Sequence, residues 1–129
     1  MRNTTYWVEI PATNFERAKK FYETIFDITM HPVPMPRGKY AIFPLEMDAK
    51  GAGGAIVEGV GYEPQENAGK GPITYLDRGE DLSIPLSKIE KAGGKVLLPK
   101  TKNGANGEFG YIAHFIDSEG NRMGLHSNN

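Results

Sequence analysis

Two halves of this 129-residue sequence carry the same order of predicted elements: a strand, an amphipathic helix and then several strands. The first half covers about residues 1–58 and the second about residues 72–129. Glycine, proline and charged residues without periodicity fill the segment between them, about 59–71, which is typical of a connection. A chain of this length forms one ordinary domain with a substantial core. The repeated order therefore predicts a single α+β domain made of two similar modules.

The first half is predicted to hold one helix and four strands. Its first strand covers 6–10 and ends at Pro11. Asn14 is the expected N-cap of the helix. Apolar residues then recur every three or four positions, as in a helix with one buried face; they are Phe15, Ala18, Phe21, Tyr22 and Ile25. The remaining elements are strands at 28–33, 40–45 and 54–58 and turns at 34–38 and 48–51.

The second half repeats this order. A strand at 73–77 precedes a helix for which Asp81 or Ser83 is the candidate cap, and Gly93-Gly94 is expected to end that helix. The apolar positions of the helix are Leu82, Leu86, Ile89 and Ala92. Strands are predicted at 95–98, 111–116 and 122–127, and the polar loop at 99–108 is expected to be mobile and to lie over a site.

The segment 117–126 predicts a closing β-hairpin. Gly120-Asn121 supplies residues that tolerate a positive φ, as a short hairpin connection requires. In the strand that follows, side chains alternate between the two faces of the sheet, so Gly124 and His126 share one face. Since glycine has no side chain, His126 is the candidate reactive group on that face.

Composition excludes several classes of protein. The net charge is −1 and no basic stripe is present, which argues against nucleic acid as a partner. No apolar run approaches the roughly 20 residues that cross a bilayer, so no membrane span is expected. The first residues lack the apolar middle of a signal peptide. With no cysteine, disulfides and zinc–thiolate sites are excluded, and a cytoplasmic location is the default expectation.

Three stretches of the sequence resemble the glyoxalase/bleomycin-resistance/extradiol-dioxygenase group, also called the vicinal oxygen chelate superfamily. The run 7–18, Trp-Val-Glu-Ile-Pro-Ala-Thr-Asn-Phe-Glu-Arg-Ala, followed by Phe21-Tyr22 and Phe26, looks like the opening of that group. The run 92–96 resembles the middle of its second half, and 117–125 is similar to its closing hairpin. The most similar members are small single-domain proteins related to lactoylglutathione lyase.

The resemblance implies two βαβββ modules whose sheets curl into cupped half-barrels, with two chains pairing as a homodimer so that the cups face each other. Metal-dependent members place histidine, glutamine or glutamate at four positions that face the cup. These positions lie on the first and the last strand of each module, and the metal acts there as a Lewis acid.

Carried over to this chain, the metal positions hold residues that do not ligate a cation. They fall at Trp7, at Ala55 or Ile56, at Thr74 and at Gly124. An indole only donates, and glycine has no side chain. A shift of the register by one residue brings in Tyr6 or Val8, Tyr75, and Met123 or Leu125, none of which is a usual ligand of a hard cation. We therefore expect no metal cofactor.

Glu9 and His126 are the candidate catalytic residues. Glu9 shares a strand face with Trp7, where partial desolvation would suit a carboxylate to proton transfer; the alternative is a structural carboxylate that accepts hydrogen bonds. His126 could be an acid, a base or a hydrogen-bond donor, or a pocket-wall histidine that the backbone satisfies. We expect His114 at a solvent-facing or interface position and Glu58 in solvent.

The favoured hypothesis is a protein that binds a small organic molecule, apolar or aromatic, in its cup without the divalent metal. The predicted pocket residues are Trp7, Phe43, Thr74, Tyr75, Tyr111 and Gly124. The alternative is a lyase, isomerase or dioxygenase-type enzyme of the same superfamily that uses Glu9 or His126 for proton transfer. A structural or regulatory dimer without a ligand is the third hypothesis.

Overall fold

A computed structural model describes residues 4–46, 51–64, 71–77 and 80–129. The first module contains β1 (Trp7–Pro11), α1 (Phe15–Phe26), β2 (His31–Met35), β3 (Gly38–Ile42) and β4 (Gly53–Gly59). The second contains β5 (Thr74–Leu76), α2 (Ser83–Leu86), β6 (Lys95–Lys102), β7 (Tyr111–Ile116) and β8 (Arg122–Ser127). Most of the predicted turn at 48–51 and part of the predicted connection at 59–71 lie outside the described residues.

Each module forms its own four-stranded sheet, and the two sheets share one topology. The strand orders are β1-β4-β3-β2 and β5-β8-β7-β6. In both sheets the first strand of the module lies parallel to the last strand, and the other neighbours are antiparallel. This topology confirms the α+β class and the two βαβββ modules.

Several element boundaries differ from the prediction. β2 begins three residues later than predicted and contains Pro32 and Pro34, which an edge strand tolerates because proline has no N–H to donate. α2 is limited to four residues because some turns beyond it close by i→i+3 bonds, such as Ile89 N to Leu86 O at 3.3 Å. Gly93 still ends the segment with a φ of 106°.

The predicted loop at 99–108 is only partly a loop. β6 continues to Lys102 by shifting its register against β7 twice, between Val96 and Leu98 and between Leu98 and Thr101. Backbone bonds then close the remaining loop, including Asn103 N to Gly110 O at 2.9 Å.

The core contains side chains of both sheets and of α1, so the two modules share it. α1 supplies the buried residues expected from its periodicity, and the rings of Phe21 and Phe115 stack across the modules with their centroids 6.1 Å apart. Ile56 of the first sheet and Leu125 of the second belong to the same cluster. We call the sheet faces that contact this cluster the core faces, and the opposite faces the cup faces. The cup faces therefore point away from the shared core.

The closing hairpin is held by a buried carboxylate. Gly120 has a φ of 95°, as predicted. Asp117 Oδ1 accepts from the backbone N–H groups of Glu119 and Asn121, both at 2.9 Å. Its Oδ2 accepts from the hydroxyl of Tyr22 on α1 at 2.7 Å. Burial raises the pKa of Asp117 although these donors oppose that effect. The turn is thus fixed to the helix of the other module.

Glu119 joins the hairpin to the N-terminus of α1. Its Oε1 accepts from the backbone N–H groups of Thr13 at 2.9 Å and Asn14 at 2.7 Å, and its Oε2 lies 2.6 Å from Arg17 Nε. Asn14 caps the helix as predicted, accepting from Arg17 N at 3.0 Å. Glu58 accepts from Phe15 N at 2.8 Å with its side chain 34% exposed, so it is only partly solvated. A helix N-terminus favours these negative charges.

The donors around Glu119 determine its titration. Its side chain is 0% exposed, and this burial raises the pKa, but Arg17, the N–H of Asn14 and Ser118 outweigh it and lower the pKa below the ordinary value. A carboxyl whose pKa is lower in the folded than in the unfolded state stabilises the fold at pH values above its unfolded-state pKa. That contribution is lost as the pH falls through the folded pKa.

We expect Glu119→Gln to lower the free energy of unfolding by about 2–4 kcal/mol, because it leaves Arg17 without its partner and removes charge-assisted bonds to α1. Urea denaturation at pH 7 measures this change. Glu90→Gln is the control, since Glu90 is exposed, and we expect a change within about 0.5 kcal/mol. Equal effects of the two substitutions would contradict the role assigned to Glu119.

Candidate functional site

The two cup faces carry the same pair of residues at equivalent positions. In the first sheet Trp7 of β1 lies opposite Gly53 of β4, and in the second sheet Tyr75 of β5 lies opposite Gly124 of β8. In each module an aromatic residue on the first strand therefore neighbours a glycine on the parallel last strand. We call these two pairs the aromatic–glycine pairs.

The rings fill the space above the glycines. A Cβ atom built on Gly124 would lie 2.5 Å from Cδ1 of Tyr75, and one built on Gly53 would lie 2.6 Å from Cδ2 of Leu45 and 2.9 Å from Cζ3 of Trp7. A side chain at Gly124 would therefore displace the Tyr75 ring, and one at Gly53 would displace both Leu45 and the Trp7 ring. Tyr75 remains 44% exposed, so part of its surface is accessible from the cup side.

An apolar cluster surrounds Trp7 on the first cup face. Tyr40, Ala55 and Val57 are its buried members, and Trp7, Ile42 and Tyr62 pack against them. Glu9 lies opposite Ala55 and accepts a hydrogen bond from the hydroxyl of Tyr62 at 2.8 Å. The hydroxyls of Tyr62 and Tyr40 are 2.9 Å apart. These bonds, that to Tyr40 first, raise the pKa of Tyr62.

His126 lies on the second cup face with both ring nitrogens engaged. Nδ1 is 2.6 Å from Oδ2 of Asp77, and Nε2 is 2.8 Å from the carbonyl oxygen of Phe109. Both partners are acceptors, so the protonated ring donates two bonds. The bond to Asp77, followed by that to Phe109, raises the pKa of His126. This arrangement fixes the loop before β7 to the sheet.

His114 shares the second cup face with Gly124. It points away from Ala113 and Phe115, as expected, but it is half-buried and its Nε2 lies 2.7 Å from the hydroxyl of Tyr75. Its Nδ1 lies 3.3 Å from Nη2 of Arg122. Burial, with a smaller effect of the Arg122 charge, lowers the pKa of His114.

Three predicted pocket residues lie on the core side instead of the cup side, which corrects the prediction for them. Phe43 packs against the core with its ring centroid 5.6 Å from that of Tyr22. Thr74 lies opposite the core residue Met123, so Tyr75 is the residue of β5 on the cup face. Tyr111 packs against the core cluster, and Lys100 Nζ lies 4.6 Å above its ring.

The resemblance implies four metal-ligand positions on the cup faces, and the residues at those positions are not ligands of a hard cation. The strand pairing places Gly53, with Ala55 two residues beyond it, in the position on β4. The four positions thus hold Trp7, Gly53 or Ala55, Tyr75 and Gly124, without an imidazole or carboxylate. In the described part of the chain, no three His, Cys, Asp or Glu side chains are grouped to hold a metal ion. A metal of the superfamily type does not fit this donor set.

A shallow crevice of about 260 Å³ lies on the helix side of the second sheet. It runs between the end of α1, α2 and β8, and Phe26, Asp81, Lys88 and His126 are among its lining residues. None of the aromatic–glycine pairs belongs to it.

The sequence resembles a provisionally named glyoxylase, and no family model matches it. CFP32 of Mycobacterium bovis is 29% identical over 128 residues, which cover 96% of this chain and 45% of that protein. The Mycobacterium tuberculosis protein of the same name matches equally. The chain therefore spans about half the length of these curated relatives.

Solved structures share the fold at low sequence identity. One is a glyoxalase I mutant of Zea mays, with a TM-score of 0.71, 19% identity and coverage of 95% of this chain and 45% of that one. A glyoxalase/bleomycin resistance protein of Albidiferax ferrireducens matches with a TM-score of 0.71 and 15% identity, and the match covers 98% of this chain and 100% of that one. TnmS3, an antibiotic binding protein of Streptomyces sp. CB03234, matches with a TM-score of 0.62 and 21% identity, and the match covers 100% of this chain and 99% of that one.

The chain therefore has the fold of the glyoxalase/bleomycin-resistance/dioxygenase proteins. Among the residues that the structure describes, no helix is both long enough and apolar enough to cross a bilayer.

A repeated tripeptide could have located this site from the sequence. Trp7-Val8-Glu9 and Tyr75-Leu76-Asp77 share the order aromatic, apolar, acidic, at the same place in each module. Comparing the first strands of the two modules would have selected Tyr75 over Thr74 and would have added Asp77. No sequence pattern singled out Arg122 as a site residue, because its neighbours on the second cup face belong to other strands.

We expect the pH dependence of stability to include His126. Its raised pKa means that its stabilising contribution is complete below its unfolded pKa of about 6.5 and is lost as the pH rises through the folded pKa. A neutral ring has one N–H, so it satisfies only one of the acceptors of His126, which costs roughly 1 kcal/mol. Urea denaturation between pH 5.5 and 8.5 should show this loss.

His126→Gln should remove this part of the pH dependence. His31→Gln is the matched control, since His31 is exposed on the edge strand β2, and it should keep the dependence. An unchanged pH profile in His126→Gln would contradict the assignment.

Proposed function

We propose that this protein binds a small aromatic organic molecule on its cup faces, without the divalent metal of the superfamily. The observation that carries this proposal is the presence of an aromatic–glycine pair at the same position of both modules. Where metal-dependent relatives place ligating side chains, this chain has two rings, each lying over a glycine.

Flat rings over glycine suit the recognition of a flat ligand. Because the Tyr75 ring remains 44% exposed, a second aromatic system can approach it in an offset stack, which is worth about 0.5–1.5 kcal/mol beyond the burial of its area. The cluster around Trp7 adds apolar surface, and Glu9 and Tyr62 add polar groups at its border. A mostly apolar surface with a few polar groups is typical of small-molecule sites.

The placement of the two faces supports a homodimer. The two aromatic–glycine pairs belong to separate sheets, and each lies on the sheet face opposite the core that the modules share. A second copy can place its second sheet against the first sheet of its partner. The ligand then lies between Trp7 of one protomer and Tyr75 of the other. This arrangement has two equivalent sites and closed symmetry.

Binding has more support than catalysis. Both nitrogens of His126 are engaged, and Glu9 accepts from Tyr62, so neither candidate is a free base in this structure. TnmS3, which has the same fold, is named as an antibiotic binding protein. Proton transfer by Glu9 or His126 is therefore the less favoured alternative.

Trp7 provides the readout for a binding test because it is the single tryptophan of the chain. We expect titration with two- and three-ring aromatic compounds, 2-naphthamide among them, to quench its fluorescence saturably. Tyr75→Ala should weaken the affinity about three- to tenfold, the value of one stacking contact. Isothermal titration calorimetry measures that affinity independently of Trp7.

Tyr6→Ala is the control, since Tyr6 is 85% exposed and lies outside the strands; its affinity should match the wild type. Dialysis against EDTA should leave the affinity unchanged. Absence of saturable quenching across the panel, or a loss of binding with EDTA, would refute the proposal.

A further inference from the structure

A chain of hydrogen bonds on the second cup face has a fixed direction. The Arg122 guanidinium can only donate, so its Nη2 donates to Nδ1 of His114 at 3.3 Å. The neutral ring then carries its proton on Nε2 and donates to the hydroxyl oxygen of Tyr75 at 2.7 Å. The Tyr75 O–H is left with its hydrogen to donate elsewhere.

The lowered pKa of His114 agrees with this direction, because a neutral ring is what lets Nδ1 accept. Three side chains in a row, Arg122, His114 and Tyr75, thus present donors at both ends. The group that completes such a row must be an acceptor.

The charge of Arg122 lacks an acidic partner in the described part of the chain. No described carboxylate forms an ion pair with it, and its Nε is buried without a hydrogen-bond acceptor. A buried donor of this kind is costly, and such cases in native proteins call for an explanation.

The surrounding face is also positive. Arg122 lies opposite Ile116, and Ile116 lies opposite Lys95, so both cations project from the cup side of the sheet. Asp77 is the described acid on this face, two residues beyond Tyr75, and it is bonded to His126. An approaching anion therefore meets Arg122, Lys95 and the Tyr75 hydroxyl.

We propose that the ligand carries an anionic oxygen group, a carboxylate or a phosphate, which binds to Arg122 and the Tyr75 hydroxyl while the aromatic part of the ligand lies on the Tyr75 ring. This inference rests on the proposed function and specifies the class of its ligand: an aryl acid. Charge-assisted bonds to arginine are about twice as strong as neutral ones, and a planar guanidinium matches the geometry of both groups.

The role of His114 is to position its neighbours. It holds the Tyr75 hydroxyl on one side and the guanidinium on the other, so the two donors lie at a fixed separation. It does not contact the ligand in this arrangement.

Three probes of matched shape test the proposal by isothermal titration calorimetry at pH 7: 2-naphthoate, 2-naphthyl phosphate and the neutral 2-naphthamide. We expect wild-type protein to bind the better of the two anions at least tenfold more tightly than the amide. Whichever anion binds more tightly identifies the group. Arg122→Gln should abolish the preference and leave the affinity for 2-naphthamide within about twofold.

Tyr75→Phe provides a second variant, since it keeps the ring and removes the hydroxyl; it should reduce the preference severalfold. Lys20→Gln is the control, because it removes one positive charge on the exposed side of α1; it should keep the full preference. Two results would overturn the proposal of an anionic group and leave the proposed binding function standing. One is equal binding of the anions and the amide to wild type, and the other is a preference for the anion that both Arg122→Gln and Tyr75→Phe retain. Absence of binding by all three probes overturns the proposed function as well.

Discussion

The carboxylate of Glu119 under the N-terminus of α1 is the contact on which the arrangement of the two modules depends. It joins the last hairpin of the chain to the first helix through two backbone N–H groups and Arg17. A buried hydrogen bond from the Tyr22 hydroxyl to Asp117 joins the same hairpin to the same helix a second time. A shared core follows, and the two sheets must then turn their other faces away from it. The cup faces thus result from how the hairpin fixes the modules.

On those faces, Gly124 stands at a position where the metal-dependent members of the resembled superfamily carry a ligating side chain, and Gly53 or Ala55 stands at another. A metal-binding cup concentrates donors of electron pairs at one point. Here the rings of Trp7 and Tyr75 occupy that space, and the polar groups lie at its border. Glu9 accepts on one sheet, whereas Arg122 donates on the other. In the function that we propose, this site selects a ligand by shape and charge, without a Lewis acid.

The sequence predicted most of the fold because periodicity and turn chemistry are local. The buried stripe of α1, the Asn14 cap and the Gly120 turn all follow from residue types at short spacing. The prediction failed where contacts between residues far apart in the sequence determine the extent of an element. β6 passes through Pro99 because bulges absorb its register against β7.

The candidate site was less predictable. Trp7, Glu9, Gly124 and His126 were found from alternation along single strands. Choosing Tyr75 over Thr74 needed the pairing of β5 with β8, and the contacts of Phe43 needed the helix packed behind it. The contact between Arg122 and His114 joins two strands across a turn, and no periodicity in the sequence predicts it.

Mapping the bound position of 2-naphthamide by amide chemical shifts tests the central claim most directly. We predict the largest changes at the backbone amides of the two aromatic–glycine pairs, Trp7, Gly53, Tyr75 and Gly124, and of Glu9 at their border. Changes confined to the crevice between α1 and α2, at Phe26, Asp81 and Lys88, would show that the ligand site lies on the other side of the sheet and would contradict it.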